Sequence, residues 1–107
     1  LDVKEREDVI FHTTAAPLEI GRMVAGRIDW EQRFDRMQQH TGEHMVSGLI
    51  HRRFGYDNVG FHLGSDYCTM DFNGPIPREA LKEIEQEANR AVFQNLDIQI
   101  SYPPKRN

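Results

Sequence analysis

DWEQRFDRMQQHTGEHMVSGLIHRRFG, residues 29–55, is the stretch on which the fold turns. Its apolar positions Phe34, Met37, Thr41, Met45, Leu49 and Ile50 recur at steps of three and four, and it contains no proline. This pattern predicts one long amphipathic helix over Trp30–Phe54. Asp29 offers an N-cap, and Gly55 supplies a natural stop. Downstream, Asn58–Leu63 and residues 67–72 are short, β-rich and separated by Gly64-Ser65-Asp66, which predicts a hairpin. Asn73-Gly74-Pro75 breaks the chain, and Pro77 suits the first turn of a second helix reaching about residue 95. Leu81, Ile84, Ala88, Ala91 and Val92 form that helix's buried stripe. Alternating Ile98, Ile100 and Tyr102 predict a last strand, which Pro103-Pro104 ends. The order α-β-β-α-β predicts an α+β fold, a two-layer sandwich with both helices packed on one face of an antiparallel sheet.

Upstream, Leu18, Ile20, Val24 and Ile28 alternate loosely with polar residues, predicting one or two strands interrupted at Gly21 and Gly26. Residues 1–8 are mostly charged and begin without Met, which predicts an upstream region. Residues 1–20 are thus expected to be a linker or the end of a preceding domain, with the domain proper occupying 21–107. At 107 residues the default is one compact core. A composition of 38% hydrophobic and 28% charged residues belongs to soluble globular proteins. No long apolar run or leader pattern opens the chain, so no membrane association and a cytoplasmic location are expected. A formal charge of −4 argues against a strong nucleic-acid binder by this segment alone. With one cysteine, Cys68, neither an internal disulfide nor a Cys-rich zinc module can form.

The chemically suggestive run is Gln39-His40-Thr41-Gly42-Glu43-His44. Residues four apart on a helix share a face, about 5–6 Å apart at Cβ, so His40 and His44 can reach one ion. Zinc takes histidine nitrogen readily but needs about three protein ligands for catalysis, so two histidines are half a site. On spacing alone a solvated polar helix face remains the alternative.

The surrounding residues carry more. The run from Asp29 to His44, followed by Gly60-Phe61-His62-Leu63-Gly64 and Met70-Asp71-Phe72, closely resembles the alanyl-tRNA editing domain family. That family comprises freestanding editing proteins and the editing domain of alanyl-tRNA synthetases, a domain shared with threonyl-tRNA synthetase. The resemblance covers about residues 21–102 and is most specific over 29–72. It implies zinc-dependent hydrolysis of tRNA(Ala) mischarged with serine or glycine, with the tRNA acceptor end as partner and no ATP site in this segment. His40 and His44 match the family's His-x-x-x-His zinc ligands and would carry the catalysis. A later Cys-x-x-x-His motif supplies the remaining pair in the family. Here Cys68 is followed four residues on by Phe72, and that motif is expected beyond residue 107, leaving 21–107 as the first part of the editing domain.

Gln39 and Thr41 flank the ligands as candidate substrate-binding residues. Thr41 suits a serine hydroxyl, although it also lies on the apolar stripe. His62 is placed by the resemblance on a hairpin beside the pocket, and a substrate-side role is expected for it. Cys68 reads as core, His51 as part of a dipole-favoured helix end, and Asp71 as structural. Two other readings remain. An inert RNA- or protein-binding module would keep the fold without the reaction. His40-x-x-Glu43-His44 also has the form of an inverted-zincin metallopeptidase, with Glu43 as base and Glu83, Glu85 or Glu87 as third ligand.

Overall fold

A computed structural model describes residues 2–105. Leu1 and residues 106–107, the outer ends of the two expected spans, lie outside the described residues. The long helix α1 runs Trp30–Phe54. Asp29 caps its start, the carboxylate Oδ1 accepting from the Gln32 N–H at 3.3 Å. Gly55 ends it in the left-handed region at φ 73°, where a residue with a Cβ is disfavoured, and its N–H reaches the His51 carbonyl at 2.7 Å. His51, Arg52 and Arg53 fill the last turn, where positive charge meets the negative end of the helix dipole.

Strands β3 (Asn58–Leu63) and β4 (Cys68–Phe72) form the expected hairpin, closed by a Gly64 N–H to Tyr67 carbonyl bond of 3.0 Å. A Cβ at Gly64 would collide with that same carbonyl, so the turn requires glycine. Phe61 pairs with Met70 and Leu63 with Cys68, and these four half-buried residues form the inner face. His62 pairs with Thr69 on the exposed face. A bulge between Asn58 and Gly60 shifts the register at the start of β3. The second helix, α2 (Arg78–Phe93), packs on α1, and Pro77 precedes it without a side-chain cap. Ion pairs of Arg52 with Glu87 and Arg53 with Glu83 join the two helices along an exposed seam.

The helix–hairpin–helix order and the α+β class agree with expectation. The last strand does not: residues 96–105 have no regular structure, and Ile98, Ile100 and Tyr102 are 70%, 77% and 92% exposed. Alternation makes a strand only where a neighbouring edge completes its hydrogen bonds, and no described strand pairs with this segment. The same holds for residues 18–28, where no strand forms. A second hairpin stands instead within the N-terminal 20 residues, where β1 (Asp2–Arg6) pairs with β2 (Val9–Thr13). Its two turn residues, Glu7 and Asp8, both take positive φ, 51° and 62°, the twist that suits a two-residue hairpin. The described strands therefore form two separate two-stranded sheets.

The expected compact core is replaced by a small one. Ile50 from α1 and Ala80 and Ile84 from α2 are the buried hydrophobic residues among those described. The radius of gyration is 18.7 Å, against about 13 Å for a compact domain of this length. The accessible surface is 10539 Å², where a folded monomer of this mass exposes about 6,200 Å². The N-terminal third of α1 contributes, with Trp30, Phe34 and Met37 61%, 47% and 42% exposed. No helix among the described residues is long and apolar enough to cross a membrane.

Candidate metal centre

One turn of α1 brings His40 and His44 together. Their Nε2 atoms lie 3.2 Å apart, with ring centroids separated by 4.8 Å and planes inclined at 36°. Two nitrogens each about 2.0–2.1 Å from a tetrahedral zinc stand about 3.3 Å apart, so the separation of the pair matches a shared ion. Both residues are exposed, and the ring of Phe61 on β3 lies 6.2 Å from that of His40 at 20°, backing it on the hairpin side.

Glu43 completes a group of three potential ligands that approach within 4.8 Å of one another. Its carboxylate is already engaged. Oε1 accepts from Ser47 Oγ at 2.8 Å and from Asn58 Nδ2 at 2.9 Å, while Oε2 stands 3.7 Å from His44 Nδ1. One Glu43 oxygen is thus tied to Ser47 and Asn58, and the other stands beside His44.

The other expected residues divide. Gln39, exposed, leans toward the hairpin, where its Oε1 stands 3.8 Å from the Cys68 thiol. Thr41, half-buried, borders a different hollow with Met45, Ala91 and Val92 on the α2 side. The two thus flank the histidines on opposite sides of the helix. His62 is not brought to the pair, because it points to the exposed hairpin face while its neighbour Phe61 takes the inner one. His51 binds its own helix end, with Nδ1 3.1 Å from Asp57 Oδ1 and 3.3 Å from the Tyr56 carbonyl. Cys68 is half-buried on the inner face, beside an apolar cleft of about 400 Å³ between α1, the hairpin and α2.

Ser47 and Asn58 are the site residues that sequence reasoning missed. Ser47 was open to discovery, since it follows Glu43 by one helical turn and can hydrogen-bond to it. Asn58 was not, because only the folded hairpin carries it to α1.

No protein-family model matches the chain. Among known proteins it is 34% identical over 90 residues to alanyl-tRNA editing protein Aarsd1 of Rattus norvegicus, covering 83% of this chain and 22% of that protein. It is 31% identical over 102 residues to alanyl-tRNA editing protein AlaX-L of Pyrococcus horikoshii, covering 92% of this chain and 25% of the relative. The alanine–tRNA ligase of Pyrococcus furiosus is 34% identical over 110 residues, covering 97% of this chain and 12% of the ligase. The chain thus spans about a quarter or less of the length of these relatives. Similarity at this level to editing proteins and ligases alike, over nearly the whole chain and through the helix that pairs His40 with His44, means that the chain belongs to the alanyl-tRNA editing domain family.

Proposed function

We propose that this chain carries the His-x-x-x-His half of a zinc site in an aminoacyl-tRNA deacylase that clears serine or glycine from tRNA(Ala). The observation behind it is the 3.2 Å separation of the two Nε2 atoms, which matches what a shared tetrahedral ion requires. The relatives' names, alanyl-tRNA editing protein and alanine–tRNA ligase, support the choice of substrate. Zinc bound there supplies Lewis acidity toward the ester carbonyl.

The chain's own residues do the rest of what it contributes. His40 and His44 would hold the ion through their neighbouring Nε2 atoms, and Phe61 keeps the His40 ring from swinging toward the hairpin. Gln39 and Thr41 stand on either side as contacts for the aminoacyl group, Thr41 as the partner of a serine hydroxyl. His62 would meet substrate only along the outer hairpin face. The remaining ligands come from polypeptide beyond this chain, and so does most of the positive surface that holds the tRNA acceptor end, since this segment is net negative. The reading implies the cytoplasm, where aminoacyl-tRNA is made.

The peptidase alternative is disfavoured by the partners of its glutamates, two of the three candidate third ligands included. Glu43 is held by Ser47 and Asn58, and Glu83 and Glu87 are paired with Arg53 and Arg52. The test is deacylation of serine- and glycine-charged tRNA(Ala) by the full-length parent protein. His44→Ala should abolish turnover and lower zinc content by elemental analysis; unchanged turnover removes His44 from the site.

A further inference from the structure

The Glu43 carboxylate has an arrangement that neither the zinc reading nor the peptidase reading uses. Its side chain is only 11% exposed, in contrast to 71% for the neighbouring His44. Ser47 Oγ and Asn58 Nδ2 both donate to its Oε1, and Asn58 Nδ2 stands 3.0 Å from Ser47 Oγ. Asn58 in turn accepts the Gly60 N–H at 2.9 Å through Oδ1, across the β3 bulge. The carboxylate is therefore locked between helix and hairpin by one oxygen. The other oxygen is left facing His44 Nδ1 at 3.7 Å.

We propose that Glu43 is a positioning residue that selects the tautomer of His44. At 3.7 Å the contact is too long for a hydrogen bond, yet a fixed negative charge beside one ring nitrogen favours the neutral form carrying its proton there. With the proton on Nδ1, the lone pair of His44 lies on Nε2, the atom that stands 3.2 Å from His40 Nε2. This is the arrangement by which a carboxylate behind a histidine readies it for a metal. The bulge matters because it sets Asn58 where it can hold the carboxylate. The metal role rests on the reading of His40 and His44 as a ligand pair; the tautomer preference does not.

Glu43→Gln separates positioning from mere tethering. A glutamine can keep its carbonyl oxygen on Ser47 and Asn58, which preserves the helix–hairpin tie, but it then turns an amide N–H toward His44 Nδ1. The preference should reverse. The measurement is long-range proton–nitrogen NMR of the imidazoles in the whole chain, at a pH where the rings are neutral. The parent sequence should show His44 mainly protonated on Nδ1, and Glu43→Gln mainly on Nε2, with the backbone amide signals of β3 in place. Zinc titrated into the full-length parent protein should show affinity weakened roughly 10–100-fold by the same substitution. Ser47→Ala, which loosens the carboxylate while retaining its charge, should give a mixed tautomer population and serves if Glu43→Gln fails to fold. The same His44 tautomer in all three proteins overturns the proposal. A tautomer switch together with a full-length parent protein that takes up no zinc overturns the ligand-pair reading and leaves the positioning by Glu43 standing.

Discussion

Asp29 illustrates what a single residue contributes and how far sequence discloses it. Its carboxylate satisfies one of the N–H groups that α1 leaves without a partner in its first turn. Asp29→Ala should lower stability by about 1 kcal/mol, read from the urea midpoint of the whole chain; no change would mean that water caps the helix equally well. The cap, the Gly55 stop and the histidine spacing were all legible because each is a local rule acting within about one helical turn. The support behind His44 was only half legible. Glu43 and Ser47 are one turn apart, but Asn58 reaches Glu43 from 15 positions along the chain through a bulge that no composition rule announces. His62 is a case of a different kind. It shares a face with Gly60, opposite Asp71 and Thr69, and only the packing of Phe61 and Met70 on the other face tells that this one looks outward.

Among the elements, the two hairpins differ in what supports them. β3 and β4 lay Phe61, Leu63, Cys68, Met70 and Phe72 half-buried on the helix side. Every residue of β1 and β2 is exposed, and their sheet has no third strand among those described. A lone two-stranded ribbon is marginal in water. Amide exchange should therefore be fast throughout β1–β2 and slower by at least an order of magnitude in β3–β4 and the C-terminal half of α1; equal protection would mean that the first hairpin is supported by a contact absent from this arrangement. The helices and the inner hairpin were readable from local periodicity, although burial follows it only in part: Ile84 of the expected α2 stripe is buried, while Leu81 and Val92 are 46% and 63% exposed. The strand expected over 98–102 was not formed because alternation records only that one side is apolar, while a strand also needs an edge to join. β1–β2 escaped notice because its turn is Glu7-Asp8, without the glycine or asparagine that usually marks such a corner.

For the molecule as a whole, most of the apolar surface stays in water. Ile20 and Met23 are fully exposed, Val24 and Ile28 largely so, and Leu96, Ile98 and Ile100 repeat the pattern near the other end. Composition could not foretell this, since an apolar content of 38% is the same whether or not the chain can cover it. The histidine pair is indifferent to it, because the helix that carries both rings is fastened by Ile50 to α2 rather than by anything in these irregular stretches. Proteases exploit that difference, since they need several residues of backbone free to enter their clefts. Trypsin should nick first at Arg22 and Arg27, in the irregular run before α1, and leave a resistant remnant that begins at Ile28, keeps the tail as far as Lys105, since no Lys or Arg lies between Arg90 and Lys105, and still holds both imidazoles. Mass spectrometry of a timed digest would read this directly, and early cuts inside α1 at Arg33 or Arg36 ahead of those sites would show the long helix fraying from its exposed end.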